Sequence, residues 1–160
     1  GGAPVARDRA GRAGGAGACG GAGGGAPALH VAYTPPLFSL INLGGATPGL
    51  NGPPQVSANR PLSVGSLFTV NLKDAPPVTP LYVWLSVSST PVSVFGGTLH
   101  AIPKLAQFFL FTNTAGRFSA STIWPAGVPS GTTLYMQCLI KDHSVPSHIT
   151  LSNAVKGTTP

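Results

Sequence analysis

The chain contains no glutamate. Its carboxylate side chains are Asp8, Asp74 and Asp142, against nine lysines and arginines. Most hydrolytic, metal-dependent and acid–base chemistry relies on positioned carboxylates. Asp8 falls in a glycine-rich stretch, and the other two fall in turn-like contexts. The sequence therefore predicts no catalytic residue, no cofactor and no enzymatic activity.

The sequence also lacks the short motifs that mark common active sites. It has no G-x-S-x-G, no H-E-x-x-H, no Walker A loop and no G-x-G-x-x-G after a strand. The tightest titratable cluster is Asp142, His143 and His148, whose oxygen and nitrogen atoms are of the kind that bind metal ions. Pro146 interrupts this spacing in a turn, so we interpret the segment as a solvated loop and predict no metal site.

Long apolar runs are missing as well. A membrane helix needs about 20 apolar residues, whereas the apolar stretches here, such as Leu81–Leu85 and Phe108–Phe111, have the length of a strand. We predict no membrane span. No signal-peptide pattern follows the first residue, Gly1, so we expect any such signal to lie upstream or to have been removed.

Residues 1–27 contain no aromatic side chain, and Val5 is their one branched aliphatic residue. Such a stretch cannot offset a chain entropy of roughly 1–2 kcal/mol per ordered residue. We predict a disordered arm or linker there and a single domain over 28–160, in which 28–47 forms an extra edge strand or a linker. Three arginines in the arm support only weak contacts with phosphates, so we predict no specific nucleic-acid partner.

From Ala28 onward, short β-like runs alternate with turn signals rich in Pro, Gly, Asn and Asp. This spacing predicts an all-β fold, a two-sheet antiparallel β-sandwich of Ig-like or jelly-roll-like type. A closed barrel is the alternative. The expected strands are 55–59, 66–72, 81–88, 91–95, 106–111, 117–124, 132–141 and 148–155, with 37–43 as a further edge strand.

Alternation assigns the faces of these strands. Leu81, Val83 and Leu85 form the predicted core face, so Tyr82 and Trp84 point to the other face. Tyr135 is placed on that outer face too, and exposed rings can stack on a sugar. These three aromatics are the candidate glycan-binding residues; alternatively, Tyr82 and Trp84 cover the sheet edge or pack against residues 29–50.

The two cysteines are Cys19, in the predicted arm, and Cys138, on the apolar face of a strand. Cys138 fits a small buried core residue. A Cys19–Cys138 disulfide would close a long loop and stabilise the fold by about 4–5 kcal/mol in the entropic description. Both interpretations remain open from the sequence.

Residues 44–160 carry an ordered set of strand and turn motifs: GSLFTV, the DAPP turn, FGGTLHAIP, TNTAGRFSASTIW, YMQCLIKD and a final SNA. In this order the chain resembles the C-terminal β-sandwich domain of secreted proteins of planctomycete and myxobacterial type. The resemblance implies a secreted or cell-surface location and an accessory role, with the region of Tyr135, Gln137 and Asp142 structural. It implies no catalytic residue.

Two functions are compatible with these features. The first is a non-catalytic secreted or cell-surface module with a structural, adhesion or assembly role. It would associate with itself or with another surface protein through an edge strand such as 148–155. The alternative is a carbohydrate-binding module that uses Tyr82, Trp84 and Tyr135.

Overall fold

The computed structural model describes residues 40–59 and 61–160. Every regular element in this part of the chain is a β-strand, which confirms the all-β prediction. No helix in the described ranges has the length and apolar character to cross a membrane. The predicted arm at 1–27, and residues 28–39 of the expected edge strand or linker, lie outside the described residues.

Eleven strands make up the described part of the chain. Two of them have the predicted bounds, and most of the others differ from prediction by one or two residues at each end. The strands are β1 (Ile41–Gly44), β2 (Gln55–Asn59), β3 (Leu67–Lys73), β4 (Pro80–Ser86), β5 (Val92–Val94), β6 (Gly97–Leu99), β7 (Ala106–Phe111), β8 (Phe118–Ile123), β9 (Thr133–Lys141), β10 (Ile149–Leu151) and β11 (Ala154–Thr158).

The strands form a β-sandwich in which every pairing is antiparallel. The larger sheet has the order β1-β11-β9-β4-β7, and β10 also pairs with β9. The smaller sheet has the order β2-β3-β8, and β5 and β6 form a separate hairpin. Strand β1 pairs with β11 at the edge of the larger sheet, and it overlaps the expected edge strand 37–43 at residues 41–43.

The core lies between the two sheets, on the faces that alternation assigned. The smaller sheet buries Phe68 and Leu72, and the larger sheet buries Leu81 and Val83 from β4. Met136, Cys138 and Ile140 of β9 complete the same face, together with Val155 of β11. Side chains at every second position meet because successive residues of a strand point to opposite faces.

The predicted strand 148–155 is wrong as a single element. It divides into β10 and β11 at Ser152 and Asn153, because the side chains of these two residues accept hydrogen bonds from backbone N–H groups of neighbouring strands. The Ser152 hydroxyl accepts a hydrogen bond of 2.8 Å from the backbone N–H of Cys138. The Asn153 amide reaches the other sheet, where its oxygen accepts a 2.6 Å bond from the N–H of Val56. β11 lies between β1 and β9, so residues 154–155 of the predicted strand are not at a free edge, whereas β10 pairs with β9 alone among the described strands. Leu151 of β10 also exchanges hydrogen bonds with Thr47.

The β5–β6 hairpin is attached to the outer face of the larger sheet through Gln137, which is fully buried. The Gln137 amide donates bonds of 2.8 Å to the carbonyl of Thr98 and 2.9 Å to the carbonyl of Ser152. Its oxygen accepts a 2.8 Å bond from the N–H of His100. One side chain therefore joins β6 and the β10–β11 break to the centre of β9.

Candidate functional site

Strand β7 forms one edge of the larger sheet, where it pairs only with β4 in the described fold. Its sequence, AQFFLF, contains no charge and reads as a strand that is buried on both faces. Its position leaves Phe108, Phe109 and Phe111 exposed by 52%, 53% and 57%. The strand has the composition of a central strand and the position of an edge strand.

Phe109 and Phe111 lie on the outer face of the sheet in a row of aromatic rings with Tyr82. Tyr82 is opposite Phe109 in the β4–β7 register, and their ring centroids are 5.2 Å apart. The rings of Phe109 and Phe111 are 5.1 Å apart in an edge-to-face arrangement. Tyr82 remains 40% exposed. We name Tyr82, Phe108, Phe109 and Phe111 the aromatic edge.

The opposite edge of the larger sheet is protected in ways that β7 is not. Strand β1 has four residues, and its register shifts between Asn42 and Gly44. In the smaller sheet, β2 is preceded by Pro53 and Pro54. Bulges, short length and proline are common means of blocking edge-to-edge pairing. None of them occurs within β7, and no other strand in residues 40–59 and 61–160 pairs with its free side.

A second feature lies between the sheets, beneath β7 and β8. A cleft of about 440 Å³ opens there, which we name the inter-sheet cleft. Ala120 and Thr122 of β8 face the other sheet and are nevertheless exposed. The lining residues are apolar except for two hydroxyl side chains: Phe68, Val70, Val83, Leu85, Phe108, Leu110, Phe118, Ala120, Ser121, Thr122, Trp124, Pro125, Leu134 and Met136.

The three predicted glycan-binding aromatics lie on the outer face of the larger sheet. Tyr82 and Trp84 are two residues apart on β4, and Tyr135 lies on β9 opposite Ser86, about 8 Å from Trp84 and about 14 Å from Tyr82 at roughly 3.4 Å per residue and 4.8 Å per strand. Lys104 Nζ lies 5.0 Å from the centroid of the Trp84 ring. Of the three, Tyr82 offers the most open ring, and its described neighbours are Phe109 and Phe111.

Two polar atoms stand out around these aromatics. Lys156 Nζ lies 5.9 Å from the centroid of the half-buried Tyr135 ring. Trp84 Nε1 is buried and has no hydrogen-bond partner among the described residues. The structure thus covers much of Trp84 and Tyr135 with neighbouring side chains, which the alternation pattern does not reveal.

Asp142 is a buried anchor rather than part of a solvated cluster. One carboxylate oxygen accepts a 2.9 Å bond from the N–H of Leu50, and the other accepts bonds of 2.9 Å and 2.6 Å from the N–H and hydroxyl of Ser144. Burial disfavours the charged carboxylate, but these bonds and the charge of His143 outweigh it and hold the pKa of Asp142 below its ordinary value.

The histidines beside Asp142 face solvent. The rings of His143 and His148 are 5.4 Å apart. No group of three or more His, Cys, Asp or Glu side chains in residues 40–59 and 61–160 is arranged to hold a metal ion. The oxygens of Asp142 are turned towards Leu50 and Ser144 instead.

Cys138 lies in the core with no exposed surface. Burial raises the pKa of its thiol to about 12, although the hydrogen bond with Ser152 acts in the opposite direction. The thiol is therefore protonated at neutral pH and inert as a nucleophile. Cys19 lies outside the described residues, and the Cys19–Cys138 disulfide stays a prediction.

Comparison with known proteins identifies no family. No family model matches the sequence, and no curated protein matches it. Among solved structures, the fold is weakly similar to the soluble domain of PmoD from Methylocystis sp. ATCC 49242 (Rockwell). The two are 9% identical with a TM-score of 0.39, over 74% of this chain and 98% of that one. A likeness this weak supports no conclusion about function.

Proposed function

We propose that this chain is a non-catalytic structural and assembly module of a secreted or cell-surface protein, and that it associates with a second copy of itself through β7. The observation that carries the proposal is the aromatic edge. It combines a strand that pairs on one side only, with β4, with exposed aromatic rings on both faces of the sheet.

The amount of exposed apolar surface supports an interface at this edge. A fully buried aromatic side chain covers about 150–250 Å², so four half-exposed rings leave roughly 300–500 Å² in contact with water. The largest apolar patch on a typical soluble monomer is about 300–600 Å² and is often functional. A stable interface takes about 800 Å² from each partner. The aromatic edge therefore supplies about half of such an interface, in the part that forms its centre.

A symmetric pairing of two β7 strands satisfies both the backbone and the side chains. A two-fold axis normal to the sheet places one residue of β7 opposite its own copy. With Phe109 on the axis, Phe108 lies opposite Leu110, and Gln107 lies opposite Phe111. In this register the outer face of one copy's sheet continues into the outer face of the other's. The outer aromatic side chains of the two copies therefore pack against each other.

The sequence supports the proposed location and the proposed lack of catalytic activity. Charged residues make up only 8% of the chain, and the rest of its polar surface is rich in Ser, Thr and Asn, which is typical of extracellular domains. Glutamate is absent, and Asp142 is committed to holding a loop. These features favour a structural role over bond-breaking chemistry.

The association is tested by size-exclusion chromatography with light scattering over a range of concentrations. We expect the wild-type protein to dimerise and Phe109→Lys to be monomeric, because a charge at the axis would be paired with itself. Leu67→Lys is the matched control: Leu67 is 47% exposed on β3, away from this edge, and this variant should dimerise normally. A wild-type monomer at every concentration would refute the proposal.

Cross-linking tests the register. In a Cys19→Ser background, Phe109→Cys places two thiols directly opposite each other, within the Cα separation that a disulfide allows. It should form a covalent dimer on mild oxidation. Phe111→Cys should not, because its counterpart is Gln107. Equal cross-linking of both variants would show that the dimer, if present, uses another register.

A second candidate function is glycan binding, which the open ring of Tyr82 favours. A ring that is 40% exposed beside Phe109 can stack on the apolar face of a sugar. A glycan array should then show binding that Tyr82→Ala and Trp84→Ala abolish, while Val87→Ala, an exposed site beyond the end of β4, leaves it intact. Binding that survives the aromatic substitutions would exclude this site.

A further inference from the structure

The inter-sheet cleft is an exception to the close packing that protein interiors normally show. Around Leu72, Leu81 and Ile140 the sheets enclose fully buried side chains. Towards β8 the inward-facing Phe118 is only half-buried, and Ala120 is exposed. The two sheets thus form a wedge, closed around one part of the core and open beside β7 and β8.

The side chains that line the inter-sheet cleft determine which class of ligand it can bind. No charged side chain lines the cleft, and its polar side chains are the hydroxyls of Ser121 and Thr122. A polar ligand would lose hydration without gaining hydrogen-bond partners, which is unfavourable. An apolar cavity stays dry and binds apolar molecules instead. The occupant that fits is a hydrocarbon.

The size of the cleft narrows the choice further. A volume of about 440 Å³ holds about 15 methylene groups, if each occupies about the 30 Å³ of a water molecule. The cleft is confined between two sheets, so a narrow, flexible chain fits better than a fused-ring molecule. Burial of each methylene group is favourable, so a chain of this length gains affinity along its whole buried part.

We infer that the inter-sheet cleft binds one unbranched acyl chain, with the polar head group left in solvent at the mouth. The site is separate from the outer aromatic row, since Phe109 and Tyr82 lie on the other face of the larger sheet. Phe108 belongs to the aromatic edge and also lines the cleft, so acyl binding and association through β7 are measured separately below. The acyl chain can belong to a free fatty acid or to a membrane lipid, which share this chemistry.

The two tryptophans report on the two faces of the larger sheet. Trp124 lines the cleft and packs edge-to-face on Phe68 at 5.7 Å, whereas Trp84 lies on the outer face beside Tyr82. A dibrominated stearic acid quenches only nearby indole rings. We expect saturable quenching in Trp84→Phe, where Trp124 alone fluoresces, and little quenching in Trp124→Phe. The reverse pattern would place the ligand on the outer face and overturn the inference.

A blocking variant tests the cleft itself. Ala120→Phe fills the open space, whereas Ser119→Phe puts the same ring on the other face of β8. We expect Ala120→Phe to weaken binding at least tenfold and Ser119→Phe to leave it unchanged, with circular dichroism confirming that both fold. Unchanged affinity in Ala120→Phe, or no saturable quenching in the wild type, would refute the acyl-chain site.

Two further measurements identify the source of the acyl chain and the oligomeric state of the protein. Phosphatidylcholine vesicles with brominated acyl chains should quench Trp124 only if the protein extracts a chain from a membrane. Quenching by the free acid alone identifies a fatty-acid site, and either result supports the inference. Light scattering of the same samples shows whether Ala120→Phe still dimerises, so that loss of acyl binding and loss of association are distinguished.

Discussion

The carboxylate of Asp142 accepts a 2.9 Å hydrogen bond from the backbone N–H of Leu50, across 92 residues of sequence. The contact ties the loop between β1 and β2 to the end of β9. The two segments approach so closely that a Cβ on Gly49 would collide with the Asp142 carboxylate. A buried charge with three protein donors holds the loop, and a glycine makes the approach possible.

The pH dependence of stability should reveal this contact. The pKa of folded Asp142 lies below its ordinary value, so its contribution is fully present above the unfolded pKa of about 3.9. The contribution is lost as the pH falls through the folded pKa. We expect Asp142→Asn to cost about 1–3 kcal/mol at pH 7, because an amide cannot replace both sets of acceptors. The cost should shrink in acid.

Urea denaturation of both proteins between pH 2 and pH 7 measures this difference. Asp74→Asn is the control, since Asp74 is exposed and lies 3.8 Å from Lys73 in a surface pair. Such a pair contributes at most about 1 kcal/mol. A pH-independent difference between the wild type and Asp142→Asn would show that the carboxylate charge does not stabilise the loop.

Replacing Gln137 should detach the β5–β6 hairpin. Gln137→Ala leaves the N–H of His100 and the carbonyls of Thr98 and Ser152 without their partner. Unsatisfied buried groups cost about 1–3 kcal/mol each, so we expect a loss of at least about 2 kcal/mol and faster hydrogen exchange at the His100 amide. Gln55→Ala, which removes one exposed bond to the Pro53 carbonyl, should have little effect. Unchanged His100 exchange would contradict the anchoring role.

Alanine substitutions at two glycines distinguish the cost of backbone strain from the cost of a steric collision. Gly65 and Gly116 both have positive φ, at 75° and 67°. A Cβ on Gly65 would meet open space, but one on Gly116 would run into the carbonyl oxygen of Ala75. We expect Gly65→Ala to cost about 1–2 kcal/mol from conformation alone. Gly116→Ala should cost about 1–3 kcal/mol more, because the chain must move. Equal losses of unfolding free energy would argue against the close contact.

Cys138 should resist alkylation in the folded protein. Its thiol is buried and its pKa is raised to about 12, so iodoacetamide at pH 8 should modify it only after denaturation. The raised pKa also stabilises the fold below the unfolded thiol pKa, about 8.5. That contribution is lost as the pH rises from there towards 12. Peptide mass spectrometry reads out each cysteine, and labelling of Cys138 under native conditions would contradict its burial.

The same experiment decides the predicted disulfide. If Cys19 and Cys138 are joined, neither is labelled in denaturant without a reductant, and both are labelled after reduction. If Cys138 is a free core thiol, it is labelled in denaturant alone. Cys19→Ser provides the reference for a thiol that has no intramolecular partner.

Local sequence patterns predicted the strands better than the site. Alternation and turn residues placed β2 and β7 with their observed bounds and assigned Phe68, Val83 and Ile140 to the core. The same patterns treated 148–155 as one strand, because nothing local shows that Asn153 bonds to Val56 of the other sheet. The anchoring role of Asp142 depends on Leu50, which is equally remote in the chain.

The amino-acid pattern alone determines that this chain forms antiparallel strands, because strand geometry alternates at every second residue and the turn residues act locally. It also limits the carboxylate side chains to three aspartates, with no glutamate. Only the folded arrangement decides that the apolar strand AQFFLF lies at an edge and that the sheets part to leave a cleft. Strand order and sheet separation depend on contacts between residues that are distant in sequence. The local sequence of an apolar strand therefore does not reveal whether the strand lies at the centre or at the edge of a sheet.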